Sequence, residues 1–536
     1  MLEHVASGVN DLGLMTEANV SQLNGHRSAG SVEESRSADF NLTDVGNAKR
    51  LVAKFGDKLR YVPGDTYNRG WGWLWFDGKH WAKVSEIFVT SKAKETLLAM
   101  KEEGLALQRS SLEPEQEEGQ KLGRWATASE NGYHLERMVA YARDEVLADK
   151  DDFDKDPWLL NALDCTIDLR TGLTHPHNPK DLLTKIAGAA YDKDVSGSRF
   201  SQFIDEVFEG EPETAEYVQK LLGLSLTGDT SEKHVWFPTG GGDNGKTLLF
   251  EVTGAAMGDY ATVGQKEVIV THEKHYRSKT FGTANLVGYR RVVFAETEAG
   301  DRLNWDILKP LTGQDTMSIE EKFKQATTGN MQLKVFIYTN ELPRIEAVGD
   351  AEWGRIRVIP FKRCFSDKPG CKEADKHLLP KLKEELSAVL RWLVGGCVLW
   401  QEYGLSEPKS VSQATKIYQK DEDPFLDFLE AETTTVGVTG SPHPKTRLKD
   451  LHIRYHQWYD GHDWEAPFHE ASVFGLAFKV HGYEKTTIKG ASWIKGIRLL
   501  TDEEKREGIP DPNDEAELLA PPTQPPPSDC NDCDPD

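Results

Sequence analysis

The sequence predicts a multidomain α/β protein, in which a central P-loop domain follows a mainly helical domain and precedes a small C-terminal domain. A chain of 536 residues is too long for one hydrophobic core. A glycine-rich loop, GGGDNGKT, lies between the apolar run VWFPT and the helix-compatible run LLFEVTGAAMG. Four short apolar runs, HVWFPT, RRVVFAE, KVFIYTN and IRVIPF, have helical stretches between some of them, which is typical of a doubly wound sheet.

Composition and periodicity divide the chain into five segments. The N-terminal residues are rich in Ser, Asn, Asp and Glu without a clear period, which predicts disorder. The run LRYVPGDTYNRGWGWLWFDGKHWAKV predicts a β-meander with turns at PGD and DGK, and residues 84–150 have helical spacing. The predicted segments are a disordered tail (1–46), an α+β and helical domain (47–200), the P-loop domain (201–400), a small domain (422–500) and an acidic, proline-rich disordered tail (501–536).

Composition and charge exclude several classes of protein. No run of about 18 apolar residues occurs, which excludes a membrane-spanning helix. The N-terminus lacks a basic segment followed by an apolar one, so we expect a cytoplasmic protein. The net charge of −23 argues against a generally basic nucleic-acid coat. However, 12 acidic and only 2 basic residues follow Leu500, so much of the negative charge is concentrated in one tail.

The cysteines are few and scattered for this length, which predicts reduced thiols. Cys530 and Cys533 form a CxxC motif among prolines and acids, but no second pair lies at metal spacing. We interpret this motif as part of an inert tail. The other four cysteines are Cys165, Cys364, Cys371 and Cys397.

The glycine-rich loop fits the P-loop pattern GxxxxGK[ST] in the strand–loop–helix context that the motif needs. Glycines allow backbone N–H groups to turn inward around phosphate oxygens, and the helix N-terminus adds a positive dipole end. Lys246 can reach β- and γ-phosphates, and the Thr247 hydroxyl can hold Mg²⁺. The alternative is a glycine-rich turn that contains Lys-Thr by chance. The predicted nucleotide-binding residues are Gly240, Gly241, Gly242, Asp243, Asn244, Gly245, Lys246 and Thr247.

A P-loop also requires acids at the end of a neighbouring strand. The run RRVVFAETE supplies an apolar strand that ends in Glu296 and Glu298. One acid would position Mg²⁺ or its waters, and the other would polarise the attacking water. Glu296 is the first choice because it ends the apolar run. The alternative is a pair of solvated acids after a core strand.

Two further polar residues adjoin apolar strands. Asn340 ends the run KVFIYTN and can hydrogen-bond a γ-phosphate or the lytic water, or it can merely cap a turn. Arg355 precedes the run IRVIPF and can reach the γ-phosphate of a neighbouring subunit, where it would stabilise transition-state charge. An ordinary salt bridge is the alternative for this arginine and for Arg357.

The ordered set GGGDNGKT, VVFAETE, IYTN and GRIRVIPF resembles the superfamily 3 helicases, and more narrowly the primase-helicases of poxviruses, satellite phages and plasmids. The segment LKPLTGQDTMSIEEKFK is similar to a DNA-tracking β-hairpin of that superfamily, in which Lys322 and Lys324 would contact phosphates in the pore. The resemblance implies an AAA+-like ATPase that uses ATP and Mg²⁺. It also implies a ring, expected to be a homohexamer, on single-stranded and forked DNA. A phage-encoded chain would act in the bacterial host's cytoplasm.

The resemblance extends to the flanking segments, over about residues 47–500. The tail domain is similar to the family's winged helix, with a helix at 472–481 and a two-stranded wing at 483–499 that carries Lys485 and Lys489. Such a wing can bind DNA or dock onto the ring. Many relatives carry a large primase domain, whereas the polar segment 1–46 has no acidic primase motif and no cluster of zinc ligands. We therefore expect a separate primase as a partner. The acidic strand has Glu-Thr-Glu rather than adjacent acids, which leaves the division of roles between Glu296 and Glu298 open.

Two other functions agree with the same motifs. One is a P-loop ATPase that remodels or packages something other than a replication fork, which would not depend on Lys322 and Lys324. The other is an origin or DNA-end binding protein whose ATP site is a switch and whose winged helix dominates the affinity for DNA. The hairpin segment favours the helicase.

Overall fold

The computed structural model describes most of the chain, and the residues it describes fall into ten ranges. They are 40–64, 70–270, 283–295, 301–313, 316–319, 327–343 with 345, 350–422, 424–435, 443–460 and 470–507. Residues 1–39 and 508–536, which make up most of the two predicted tails, lie outside these ranges, as do both acidic-strand carboxylates and both hairpin lysines. The ends of the two segments predicted to be disordered are instead helical where the structure describes them, at residues 44–46 and Glu504–Glu507. The chain divides into two compact units, one within Met1–Asp77 and Trp81–Asp152 and the other within Gly78–His80 and Phe153–Asp536.

The first unit combines a small antiparallel sheet with four helices. The sheet has the order β1-β2-β3, as the alternating aromatic residues predict, with Leu59 opposite Trp75 and Trp73 opposite Val84. Ser85 and Asn131 cap helices by accepting hydrogen bonds from Phe88 N–H and His134 N–H. The meander and the helical spacing predicted for this region are therefore confirmed. The elements are α1 Asp44–Phe55, β1 Leu59–Val62, β2 Gly72–Phe76, β3 Trp81–Val84, α2 Glu86–Gln108, α3 Glu113–Ala128 and α4 Gly132–Glu145.

The second unit contains a five-stranded parallel sheet with helices on both faces. Its strand order is β13-β7-β12-β9-β8, and all four neighbouring pairs are parallel. A short antiparallel sheet, β4-β5-β6, precedes it along the chain. The elements up to the end of the sheet are β4 Leu159–Asn161, β5 Thr166–Asp168, β6 Leu173–His175, α5 Ser198–Val207, α6 Pro212–Leu224, β7 Val235–Thr239, α7 Lys246–Met257, β8 Ala261–Gly264, β9 Arg291–Ala295, α8 Trp305–Thr312, β10 Thr316–Ile319, β11 Thr327–Asn330, β12 Lys334–Tyr338, α9 Asp350–Trp353 and β13 Ile356–Pro360.

Each central strand sends alternate side chains into two separate cores. Trp236 and Phe336 belong to the core that includes α5, α6 and α7, whereas Phe237, Phe294 and Ile337 belong to the core on the other face. Burial on both faces explains why the strands read as continuous apolar runs rather than as an alternation of apolar and polar residues. The prediction of a parallel α/β domain is therefore confirmed.

Between the acidic strand and the Asn340 strand, the chain forms an antiparallel hairpin. Thr316 of β10 is opposite Asn330 of β11, and Ile319 is opposite Thr327. The predicted hairpin is therefore present as backbone pairing. Lys322 and Lys324 belong to the connecting segment at 320–326, outside the described residues.

The C-terminal part continues with helices and a small mixed region. Strands β15, β17 and β16 form an antiparallel sheet in that order, and the predicted helix near 472–481 and the following hairpin are confirmed. Among the described residues, no helix has the length and apolarity needed to cross a membrane. The elements are α10 Leu378–Glu384, α11 Leu386–Tyr403, α12 Lys409–Asp421, α13 Pro424–Glu432, β14 Thr433–Thr434, β15 Lys445–Arg447, α14 Leu448–Asp460, α15 Ala471–Val480, β16 Lys485–Ile488, β17 Ala491–Lys495, β18 Arg498–Leu499 and α16 Glu504–Glu507.

One prediction about the cysteines is wrong. Cys364 and Cys371 form a disulfide, with their Cα atoms 4.8 Å apart, rather than remaining reduced. The loop between them folds back because Lys372 N–H donates to Cys364 O at 2.8 Å, a closure that spacing alone does not reveal. Cys165 and Cys397 are free, as predicted, and the CxxC pair lies outside the described residues.

Candidate nucleotide site

The P-loop connects the end of β7 to the start of α7. Gly242, Asp243 and Gly245 have positive φ angles of 91°, 47° and 81°, so the backbone curls back on itself before the helix begins. A Cβ atom at Gly245 would lie 2.8 Å from Val207 Cγ2, because α5 packs directly against the loop. The N-terminus of the 12-residue helix α7 therefore faces the inside of the loop, where its dipole favours an anion.

Lys246 is buried at the base of this loop, with 3% of its surface exposed. Its Nζ atom donates to Gly240 O at 2.9 Å and to Asn340 Oδ1 at 3.3 Å. Burial lowers the pKa of Lys246 to about 8. The ammonium group is thus held by neutral acceptors, and an anionic phosphate is the partner that would stabilise its charge.

A cleft of about 890 Å³ extends from the P-loop along α5. One wall is the α5 face formed by Arg199, Phe203 and Glu206, in which Arg199 Nη2 donates to Glu206 Oε2 at 3.2 Å. Phe365 and residues of the segment 372–378 also line the cleft. Phe365 N–H donates to Asp243 O at 2.6 Å, so the disulfide-closed loop contacts the P-loop directly. A cleft of this size is typical of small-molecule sites.

The sheet brings the predicted polar residues to one edge. Parallel strands end at the same edge, so the P-loop after β7 and Asn340 after β12 lie side by side. Tyr338 is opposite Ala295 at the end of β9, which places the chain leading to Glu296 at that edge as well. Glu296 and Glu298 themselves lie outside the described residues.

Thr247 and Asn244 complete the predicted loop residues. Thr247 is exposed and lines the cleft, so its hydroxyl is an oxygen donor of the kind that Mg²⁺ prefers. Asn244 also lines the cleft but is buried, and its Nδ2 atom lies near Gly240 without a hydrogen-bond partner among the described residues. Among the described residues, no group of three or more His, Cys, Asp or Glu side chains that could hold a metal ion occurs.

Arg355 lies away from this cleft. It precedes β13, whose amino end is beside the amino end of β7, and its carbonyl oxygen accepts a hydrogen bond from Val235 N–H at 2.8 Å. Its side chain donates to Thr312 Oγ1 at 3.2 Å and to Lys309 O at 3.4 Å. Arg355 is therefore at the opposite edge of the sheet from the P-loop of its own chain.

The predicted wing residues occupy the β16–β17 hairpin. Lys485 is exposed at the start of β16, with its Nζ atom near Gly475 of α15. Lys489 is exposed in the turn and has a φ of 48°. On the neighbouring strand, the Arg447 guanidinium lies 5.2 Å from the centre of the Trp493 ring.

The sequence reasoning missed the wall of the cleft formed by α5. None of the residues predicted for the site lies on this helix. The i, i+4, i+7 spacing of Arg199, Phe203 and Glu206 places them on one helical face, but a charged pair flanking an aromatic residue is common on solvated helices. Their position in the cleft depends on tertiary packing, for which the sequence contains no local signal.

Two family models match most of the folded region. One, described as "D5 N terminal like", covers residues 48–209, and the other, described as a family of unknown function, DUF5906, covers residues 239–355. A protein of Acanthamoeba polyphaga mimivirus, provisionally named as a helicase, is 27% identical over 331 residues, which are 57% of this chain and 33% of that protein. These matches support a relationship of this chain to the phage and viral primase-helicases.

A second viral protein and a solved structure are also similar to this chain. A protein of frog virus 3 with the same kind of provisional helicase name is 27% identical over 42% of this chain and 25% of that protein. The chain thus spans a third or less of the length of these two relatives. Among solved structures, the C-terminal region of NrS-1 in an apo form aligns with 59% of this chain and 85% of its own length, at 14% identity and a TM-score of 0.35.

Proposed function

We propose that this chain is the motor of an ATP-dependent DNA helicase that assembles as a homohexameric ring and moves along single-stranded DNA in phage or plasmid replication. The observation that carries the proposal is the contact of Lys246 Nζ with Asn340 Oδ1 at 3.3 Å, inside a cleft that contains the P-loop. This arrangement joins a phosphate-binding lysine to an amide that can orient water. The provisional helicase names of the viral relatives support the same activity.

Strand order supports an AAA+-like form of the P-loop domain. Strand β12 separates the P-loop strand β7 from the strand β9, so the end of β12, which Asn340 follows, lies between the ends of β7 and β9. The C-terminal elements follow the order helix, two short strands, helix, helix and then a two-stranded hairpin, with the sheet order β15-β17-β16. We interpret this arrangement as a winged helix.

The proposed site residues have separate roles in this mechanism. Lys246 contacts the β- and γ-phosphates, and the backbone N–H groups of the P-loop surround them. Asn340 orients the γ-phosphate or the attacking water. Thr247 and Glu296 would hold Mg²⁺, which when bound supplies neutralisation of the phosphate charge. Glu298 is the alternative to Glu296 as the group that polarises water, and the two Glu→Gln variants separate these roles.

Arg355 is proposed to act in trans. The strands of the sheet are five residues or fewer, so its two edges are separated by about 15 Å. Since Arg355 lies at the amino edge and the P-loop at the carboxyl edge, it can stabilise phosphate charge only on a neighbouring subunit. ATP would then bind between subunits of a ring.

DNA contacts are proposed at two places. The segment that connects β10 to β11 contains Lys322 and Lys324, and lysines suit sequence-independent contact with phosphates. The β16–β17 hairpin presents exposed Lys485 and Lys489 beside Trp493. Aromatic and cationic side chains together favour binding of single-stranded nucleic acid.

The exposed basic wing also favours a second candidate function, a DNA-binding protein whose ATP site is a switch. In that case the winged helix would account for most of the affinity for DNA. Removal of residues 422–536 would then abolish DNA binding, whereas a motor that holds DNA in its pore would retain it.

The proposal is tested by ATP hydrolysis with and without single-stranded DNA. The intact chain should hydrolyse ATP faster with DNA, and Lys246→Ala and Arg355→Ala should each be inactive. Mixing the two inactive variants should restore activity, because about a quarter of the interfaces in a randomly mixed ring combine an intact Lys246 with an intact Arg355. A mixture as inactive as its components would contradict the shared site.

A further inference from the structure

Helix α12 contacts three parts of the nucleotide-binding domain. Its Tyr418 ring lies 6.2 Å from the ring of Phe237 in β7, the strand that leads into the P-loop. The same ring lies 5.4 Å from the ring of Trp353, two residues before Arg355. Thr415 Oγ1 accepts a hydrogen bond from Val358 N–H of β13 at 3.0 Å. A shift of the P-loop strand, or of the segment that carries Arg355, would therefore move α12 as well.

The third contact is with the segment that follows Asn340. The Tyr418 hydroxyl donates to Pro343 O, and Ile345 N–H donates to Glu422 Oε2 at 2.9 Å. Between Asn340 and Pro343 the backbone is held by a tight turn, in which Glu341 N–H donates to Thr339 Oγ1 at 3.2 Å. A displacement of Asn340 by nucleotide would thus be transmitted to α12 through a short, hydrogen-bonded segment.

The contacts that Tyr418 makes lie in the protein interior. Tyr418 is 3% exposed and Ile345 is also 3% exposed. Burial and the nearby Glu422 raise the pKa of Tyr418 above its ordinary value, so the hydroxyl remains a donor. Removal of the hydroxyl would leave the buried carbonyl oxygen of Pro343 without this hydrogen bond, and an unsatisfied buried acceptor lowers the stability of the fold.

Helix α12 also leads into the C-terminal domain. It ends at Asp421, and α13, the first helix of that domain, begins at Pro424. Phe425 and Phe428 of α13 belong to the core of the C-terminal domain, together with residues of α14 and α15. A movement of the end of α12 would consequently displace α13, which packs in the core of the C-terminal domain.

We propose that Tyr418 and Glu422 are positioning residues of the nucleotide site, which hold the segment after Asn340 and couple its position to the C-terminal domain. This inference rests on the proposed function, because it requires that the cleft binds a nucleoside triphosphate. Neither residue touches the nucleotide. Their role is to make the C-terminal domain respond to occupancy of the cleft.

The test compares four variants of the full chain. Tyr418→Phe removes one hydroxyl and keeps the ring, and Glu422→Ala removes the acceptor, whereas Glu422→Gln restores an acceptor oxygen. Tyr403→Phe, at an exposed tyrosine on α11, is the matched control. The measurements are the steady-state kinetics of ATP hydrolysis and hydrogen exchange of residues 424–500, with and without the non-hydrolysable analogue adenylyl imidodiphosphate and Mg²⁺.

In the intact chain, the analogue should slow exchange in both the P-loop and residues 424–500. Tyr418→Phe and Glu422→Ala should keep the change in the P-loop and lose the change in residues 424–500. Their kcat should fall about fivefold with KM within about twofold, because positioning rather than binding is lost. Glu422→Gln and Tyr403→Phe should resemble the intact chain. If Tyr418→Phe does not fold, the Glu422 pair decides.

Three outcomes would overturn the inference. Variants Tyr418→Phe and Glu422→Ala that behave like the control would show that these contacts are only structural. A P-loop that responds to the analogue while residues 424–500 do not would remove the coupling and leave the proposed function intact. An intact chain whose P-loop does not respond to the analogue at all would remove the proposed function and the inference together.

Discussion

At the scale of single residues, burial alone does not identify the functional lysine. Lys334 is as buried as Lys246, and burial lowers its pKa to about 7. However, Lys334 lies at the amino end of β12, where its Nζ atom donates to Asp229 O at 3.0 Å and also to Thr227 O. These carbonyls follow the C-terminal end of α6, which favours a cation. Lys246 differs because it lies at the carboxyl edge, beside a helix N-terminus and a cleft.

Lys246 predicts a pH dependence of nucleotide binding. Its pKa of about 8 means that the ammonium charge is present below pH 8 and is lost as the pH rises through that value. The Kd for an ATP analogue should therefore increase about tenfold per pH unit above pH 8, since a bound phosphate keeps the lysine protonated. The measurement is an equilibrium titration of the intact chain between pH 7 and 9.5.

Lys246→Ala is the control for this titration. It should bind the analogue more weakly but with no loss of affinity between pH 8 and 9.5, because the titrating group is gone. An unchanged pH dependence in Lys246→Ala would assign the effect to another group and would contradict the role given to Lys246.

At the scale of elements, the packing of α5 on the P-loop leaves no room for a larger side chain at one glycine position. Gly245 has a φ of 81°, and an added Cβ would lie 2.8 Å from Val207 Cγ2, whereas nothing lies within 4 Å of a Cβ at Gly241, which has no positive φ. Gly245→Ala should lower the free energy of unfolding by about 1–3 kcal/mol and weaken nucleotide binding, because both strain and overpacking result.

Gly241→Ala is the matched control within the same loop. Chemical denaturation should show a change below about 0.5 kcal/mol for this variant. Equal losses in the two variants would contradict this explanation, because Gly241 has neither a positive φ nor a close neighbour.

The helices, strands and turns that depend on short-range sequence patterns could be predicted from the sequence. The aromatic alternation of β1–β3, the strand–loop–helix around Lys246 and the β16–β17 hairpin all depend on short-range patterns. The α5 wall of the cleft and the attachment of Tyr418 to Pro343 join residues that are far apart in the sequence. The Cys364–Cys371 bridge requires a loop closure that spacing does not encode. These features therefore become visible only in the folded chain.

At the scale of the whole molecule, the net charge and the proposed DNA contacts have to be reconciled. The net charge is −23, and a third or more of it is concentrated after Leu500. The proposed DNA contacts are a few lysines on two hairpins, so binding would depend on local charge rather than on the total. Because these contacts are electrostatic, binding to DNA should weaken as salt rises, and because they neutralise few phosphates, the slope of that salt dependence should be shallow.

The measurement that tests the central claim most directly is ATP-dependent unwinding of a forked DNA duplex. It compares the intact chain, Lys246→Ala, the pair Lys322→Ala with Lys324→Ala, and a control pair at exposed positions of the first unit, Lys94→Ala with Lys121→Ala. The intact chain and the control pair should unwind DNA, and Lys246→Ala should neither hydrolyse ATP nor unwind. The hairpin pair should keep basal ATP hydrolysis and lose unwinding. ATP hydrolysis that DNA does not stimulate, with no unwinding by the intact chain, would contradict the helicase and leave only a P-loop ATPase.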